Sequence, residues 1–255
     1  MCSGTDFHKW EAGMLRALLE IPGVQLTLLI VDARPRVPRN PWWRRLVTLL
    51  RLRGVLYSIY MRYFVEPYCD AISKEDVSSL VNGVPRQECH VRLKGKFSEY
   101  FSEEDIAAIR SYELDFILRS GFNIIRGEIL SVPRYGVWSF HHDDIEKYRG
   151  GPPAFWEIFY GDSKTGVTLQ RLTDRLDGGV VLKRDWTATC LSSYAQNLNA
   201  GLSLGRDWPA LLCRDILAGR TEQFFQPAVQ TAAPIFYRPT NTQMLVYLSR
   251  LLMRR

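Results

Sequence analysis

Cysteine is scarce and unpatterned in this sequence: Cys2, Cys69, Cys89, Cys190 and Cys213 are odd in number and widely scattered. They suit reduced thiols better than a disulfide frame or a zinc site, and no metal is expected. No stretch reaches the about 18 uninterrupted apolar residues that a membrane-spanning helix needs, and residues 1–20 lack the basic, apolar and small-residue order of a signal peptide. The expectation is therefore a cytoplasmic chain. Internal repeats and low-complexity tracts are absent, as is the bias of a disordered protein. One interval, residues 33–65, contains no acidic residue and no lysine, only eight arginines. The net charge of +6 supports attraction to anions without choosing among them. What is present is 46% hydrophobic content in 255 residues, enough for one full α/β core plus an appendage.

The apolar pattern alternates between helical and strand spacing, which predicts an α/β fold with an open, mostly parallel sheet. Residues 10–20 repeat at helical spacing, and residues 24–31 form a nearly continuous apolar run of strand type. A helix over 101–111 leads into a strand over 114–118, and a short strand over 136–140 precedes a polar loop. Residues 165–172 read as another strand. Residues 194–219 read as helical with a break near 201–205 and a restart around Pro209. Residues 226–239 are an irregular, proline-bearing strip, and 242–255 form a short amphipathic helix. This divides the chain into a domain over 1–187, with an arginine-rich insertion at 33–65, and a mainly helical C-terminal extension over 188–255.

Two blocks of turn chemistry stand out. The first is Ser139-Phe140-His141-His142-Asp143-Asp144, continuing into Lys147-Tyr148-Arg149-Gly150-Gly151-Pro152-Pro153. The second is Leu172-Thr173-Asp174-Arg175-Leu176-Asp177-Gly178-Gly179. Both read as loops leaving strands, and in open α/β sheets ligands collect at the carboxyl ends of strands. A His close to a carboxylate can act as a base or as a supported cation, although spacing alone does not show that His141 and Asp177 meet. Asp143 and Asp144 read first as caps after a strand. The glycine-proline run reads first as a tight turn into a helix over 154–160, whose first amides could also face an anion.

Residues 124–182 resemble the core of the folate-dependent formyltransferase family, which includes methionyl-tRNA, glycinamide ribonucleotide and sugar formyltransferases. The resemblance rests on five ordered motifs: Ile124-Ile125-Arg126, Ser139-Phe140-His141-His142-Asp143, Lys147-Tyr148-Arg149-Gly150-Gly151-Pro152-Pro153, Thr165-Gly166-Val167-Thr168 and Leu176-Asp177-Gly178-Gly179. It implies a Rossmann-like sheet of the formyltransferase type and transfer of a formyl group from N10-formyltetrahydrofolate to an amine. His141 takes the family's His role and Asp177 its Asp role, while Ser139 stands where the family carries Asn. A lost oxyanion donor costs roughly a hundredfold to a thousandfold in rate; a Ser hydroxyl also donates, over a shorter reach. Ile124, Ile125, Arg126, Leu130 and Leu176 match positions at the folate pocket, with core packing the alternative. His142, Arg149 and Gly150 are expected at the acceptor substrate, with a surface role the alternative for Arg149.

The resemblance implies a small-molecule amine as acceptor, an amino sugar first, nucleotide- or lipid-linked. There is no room for the C-terminal barrel of methionyl-tRNA formyltransferases, which weakens a tRNA or other nucleic-acid reading. A hydrolase releasing formate from the same donor and a non-catalytic binding protein are the alternatives. Two segments depart from the family. Gly4-Thr5-Asp6-Phe7 follows only Met1-Cys2-Ser3 where the family has a full first strand, so either the start lies upstream or the sheet lacks most of a strand. Residues 34–41 read as a proline-limited linker and 42–64 as a basic amphipathic helix. That helix suits a crossover covering the sheet, an anionic membrane surface or an RNA contact.

Overall fold

The computed structural model describes residues 1–34, 54–95, 97–175, 178–228 and 231–254. The expected linker and the first part of the expected helix over 42–64 therefore lie outside the described residues. From Gly54 onward the helix is present as Val55–Tyr60, continuing in a π-helical turn over Met61–Val65. No helix among the described residues is long and apolar enough to cross a membrane.

The sheet is built in two halves. Leu29–Asp32 pairs in parallel with Arg86–Cys89. Ile117–Leu118 pairs in parallel with Val137–His141, which continues antiparallel to Lys164–Arg171 and then to Val180–Ala188. The expectation of mostly parallel pairing thus holds for the first half and fails in the second. For the last pair the reason is local: only residues 172–179 separate the two strands, too few for the crossover that a parallel pair requires.

Met1 and Cys2 stitch the halves together. The Cys2 amide donates to the Ile30 carbonyl at 2.9 Å, and the Asp32 amide donates to the Cys2 carbonyl at 3.1 Å. On the other side the Ser120 amide donates to the Met1 carbonyl at 2.9 Å, and the Met1 ammonium donates to the Leu118 carbonyl at 2.8 Å. Beside Met1 and Cys2 lies an apolar cavity of about 230 Å³, walled by Leu15, Leu18, Leu26, Leu28, Leu114 and Phe116 among others. Burial holds the Met1 ammonium below its usual pKa. The cavity also explains why the apolar run over 24–31 becomes a strand only at Leu29–Asp32. Residues 24–28 border the cavity, and strand backbone needs a hydrogen-bonded neighbour.

Helices cover both faces. Lys9–Leu19 buries Ala12, Met14, Leu15 and Leu18, the helical stripe of its sequence, and Met14 and Leu18 pack with Ala210 and Cys213 of Trp208–Leu217. On the strand carrying the histidines, the Trp138 ring is fully buried and stacks on Phe116 and Phe224 at 4.1 and 5.4 Å. The C-terminal part is woven into the same cores. Met244 and Tyr247 of Asn241–Met253 pack with Tyr57, Tyr60 and Phe155, and Ile235–Phe236 pairs in parallel with Arg149–Gly150.

Candidate active site

Side chains alternate across a strand, and this sorts the residues of Val137–His141. Ser139 and His141 share one face, opposite Gln170 and Thr168 of the neighbouring strand. All four are buried. Phe140 and His142 turn to the other face, where the two rings stack with centroids 5.3 Å apart and Trp10 meets His142 edge-on at 5.0 Å. Both His142 ring nitrogens are sealed from solvent, without a hydrogen bond of normal geometry. Desolvation, followed by the neighbouring His141, lowers its pKa to about 3, weakly opposed by the Gly201 backbone. The neutral ring therefore acts as a packing aromatic, and the structure does not bring it together with Ser139 and His141.

Two contacts fix His141 and Ser139. His141 Nε2 lies 2.8 Å from the Tyr148 carbonyl; a carbonyl only accepts, so Nε2 carries a proton, and the charged ring adds one on Nδ1. Arg119, just past the Ile117–Leu118 strand, donates from Nη1 to Ser139 Oγ at 2.6 Å and from Nη2 to the Phe122 carbonyl at 3.1 Å. A guanidinium is thus bound to the hydroxyl at the position where the resemblance implied a lone donor. Across the strand pair, the Thr168 hydroxyl is buried with no hydrogen-bond partner among the described residues.

Leu176 and Asp177 lie outside the described residues, but their flanks are anchored here. Gly179 N donates to Gln170 Oε1 at 3.2 Å, and Thr173 Oγ1 donates to the Gly178 carbonyl at 2.9 Å. Gly179 is required by close approach, since a Cβ there would fall 2.4 Å from the Arg171 carbonyl oxygen. Residues 171–174 and the turn over Gly127, Glu128, Leu130 and Ser131 enclose a cleft of about 410 Å³, within the roughly 300–1,000 Å³ of small-molecule sites. The Gly127 amide donates to Asp174 Oδ1 at 2.9 Å and ties the two walls together. Arg171 Nε is buried in this wall without a partner among the described residues. Leu130 borders the cleft, whereas Ile124, Ile125 and Arg126 form the strand leading to it. Ile125 is in the core, and Arg126 Nε donates to Ser98 Oγ.

The remaining expected residues face elsewhere. Arg149 donates from its backbone to the Pro234 carbonyl and from Nη1 to the Ala233 carbonyl. Gly150 has a φ of 87°, and a Cβ there would fall 2.2 Å from the Phe236 carbonyl oxygen. Both residues hold the C-terminal strip.

One acid, Glu157, escaped the sequence reading, and another, Asp143, was read there first as a cap. Asp143 accepts from the Ala154 amide at 2.7 Å, which is the expected capping contact, but its Oδ2 also lies 4.0 Å from His141 Nε2. Glu157 is fully buried, and desolvation pushes its carboxyl up to about 7. Its signal was a lone acid inside the apolar run Ala154-Phe155-Trp156-Glu157-Ile158-Phe159. Arg119 gave a similar signal as the first charge after a buried strand.

Comparison with known proteins gives a family match over part of the chain. Residues 72–198 match the model of the formyl transferase family. The methionyl-tRNA formyltransferase of Prochlorococcus marinus is 39% identical over 82 residues, covering 31% of this chain and 24% of that protein. Its counterpart from Wolbachia is 27% identical over 138 residues, 54% of this chain and 44% of that protein. The matches thus span less than half the length of these relatives. Among solved structures, the phosphoribosylglycinamide formyltransferase of Bacillus halodurans superposes with a TM-score of 0.52 at 14% identity, over 88% of this chain and 97% of that one. That likeness concerns the fold. Over residues 72–198, half its length, this chain belongs to the formyl transferase family.

Proposed function

We propose that this chain transfers a formyl group from N10-formyltetrahydrofolate to a primary amine of a small molecule, in the cytoplasm, with amino sugars as the first acceptor class. The observation that carries the reading is one juxtaposition. A buried Ser139–His141 face lies opposite Gln170 and Thr168 of the neighbouring strand, and Gln170 accepts from Gly179 of the loop that bears Asp177 and borders a cleft. The cleft suits the donor's flat heteroaromatic part. Leu130 and Leu172 supply apolar wall, and the buried Arg171 Nε is an N–H in need of an acceptor.

The residues divide the chemistry. The donor brings an activated formyl carbon. His141 polarises the formyl oxygen, and the Arg119–Ser139 pair adds positive charge where negative charge develops. Asp177, by its match to the family loop, accepts the proton shed by the attacking amine, directly or through water. Thr168 offers a buried hydroxyl beside His141 for a water or an acceptor group.

A second reading, folate binding without turnover, is favoured by one contact: the Ser139 oxygen already accepts from Arg119. The test is to incubate the protein with donor labelled at the formyl carbon and a panel of amino sugars. Labelled formamide is the expected product, and His141→Ala abolishes it. Free formate without an acceptor means a hydrolase. Bound donor with neither product means the second reading.

A further inference from the structure

Two helices carry apolar side chains on their outer as well as their inner faces. Val55–Tyr60, continued by the turn Met61–Val65, runs beside Asn241–Met253. The Leu56 amide donates to Asn241 Oδ1 at 3.1 Å, and further along the Tyr60 and Tyr247 hydroxyls are 3.1 Å apart. Tyr57, Tyr60, Met244 and Tyr247 enter one core, so the opposite faces of both helices point away from that core together. Those faces are not polar. Ile59, Tyr63, Phe64, Leu245, Leu252 and Met253 are between 47% and 78% exposed. Leu245 and Leu252, seven residues apart, share one helical stripe. Single exposed apolar residues are ordinary, whereas a run of them over two adjacent helices marks contact with another body.

The charge on these helices has one sign. Arg62, Arg250 and Arg254 are the charged residues of 55–65 and 241–254, with no carboxylate among them. Arg250 and Arg254 donate to the carbonyls of Phe159 and Ile158, neutral acceptors that orient the guanidiniums and leave their charge uncompensated. Arg238, which donates to Ser58 Oγ at 3.5 Å, is an exposed cation on the same helix pair. Arg62 meets Glu66 at 3.3 Å, an exposed pair of little strength.

We propose that this two-helix face docks on an anionic lipid bilayer. Charge complementarity selects the occupant. A second copy meeting the face about a two-fold axis would set arginine against arginine. A nucleic acid would take the arginines but would find in Leu245, Leu252 and Met253 no ring on which a base can stack. A bilayer with anionic headgroups satisfies both, taking the leucines and methionine into its acyl boundary and the guanidiniums at its phosphates. Tyr63 suits the headgroup level, with an apolar ring and a polar tip. The contact lies in the plane of the membrane, since the 13 residues of Asn241–Met253 fall short of the about 20 that span one. No residue of either helix lines the cleft assigned to the donor, so the contact stands independently of the formyl-transfer reading.

The test is co-sedimentation of the full chain with vesicles of phosphatidylcholine alone and of equal parts phosphatidylcholine and phosphatidylglycerol. Binding to the mixed vesicles is expected to be at least tenfold tighter and to weaken as salt rises. Tyr63→Ser, Leu252→Ser and Met253→Ser combined should lower it tenfold or more with an unchanged circular dichroism spectrum. No binding to the mixed vesicles, equal binding to both, or a folded triple variant that binds as wild type overturns the proposal. Self-association without vesicle binding also overturns it, in favour of a second copy. An environment-sensitive fluorophore on Ser249→Cys, between Leu245 and Leu252, should shift to the blue on the mixed vesicles beyond the shift of the identically labelled parent chain. No such shift overturns the proposal whether or not the triple variant folds.

Discussion

His142 makes the stability of this protein depend on pH in a predictable way. Its ring is sandwiched between Phe140 and Trp10 with both nitrogens sealed, and desolvation takes its pKa from 6.5 to about 3. The unfolded chain therefore binds a proton near pH 6.5 that the folded chain refuses until about pH 3. Stability is fully present above 6.5 and is lost as pH falls through that interval. At about 1.4 kcal/mol per pH unit, the loss is about 3 kcal/mol by about pH 4.5 and about 5 kcal/mol at the lower limit. His142→Phe keeps an aromatic ring between its neighbours, removes the titration, and relieves two buried nitrogens of an unmet hydrogen bond, each a cost of about 1–3 kcal/mol. Urea midpoints measured from about pH 7 to 4.5 should fall steeply in wild type and much less in the variant, which should be at least as stable at neutral pH. Parallel slopes would refute the reasoning, because they would mean that the imidazole is solvated when folded.

Other consequences follow from the packing. Asn197 is fully buried, donates to the Ala154 carbonyl and to Thr165 Oγ1, both at 2.9 Å, and accepts from the Cys190 amide at 2.9 Å. Asn197→Ala leaves the Ala154 carbonyl and the Cys190 amide unmet and should cost about 2–5 kcal/mol, a drop of roughly 5–15 °C in Tm by circular dichroism; less than about 1 kcal/mol contradicts it. Appending about six apolar, β-branched residues ahead of Met1 should fill the cavity beside Met1 and Cys2. Burying two large side chains there adds about 3 kcal/mol or more and slows amide hydrogen exchange over residues 25–28. Unchanged exchange and midpoint would show that the cavity does not take a strand.

Much of this fold was legible because its elements obey simple periods. The stripe of Ala12, Leu15 and Leu18 predicts the first helix, and Ser102, three residues before Asp105, caps Glu103–Arg110 by accepting the Asp105 amide. What was not legible depends on partners distant in sequence. Residues 24–28 are as apolar as a strand, yet backbone pairing is decided by a neighbour that composition does not reveal. Mostly parallel pairing followed from the alternation of helices and strands; it fails on both sides of Lys164–Arg171, and on one of them the loop over 172–179 is too short for a crossover. At the site, the match in motifs brought Ser139 and His141 forward, and strand alternation already implies that they share a face from which His142 is excluded. Asp143 was read as a cap because its sequence neighbours suggest one; its second contact, with His141, is a matter of burial. Glu157 was readable as an acid without local reason to be in an apolar helix, but the Asp144 amide that it accepts from belongs to the loop after another element.

The most direct test of the formyl-transfer account is calorimetric titration of the protein with a stable N10-formyltetrahydrofolate analogue, comparing wild type with Leu130→Arg. Leu130 borders the cleft that the account assigns to the donor, and an arginine there would obstruct it. The account predicts one analogue per chain in wild type and at least a tenfold weaker Kd in a folded variant. A wild-type protein that is folded and does not bind, or a folded variant that binds as well as wild type, would contradict it.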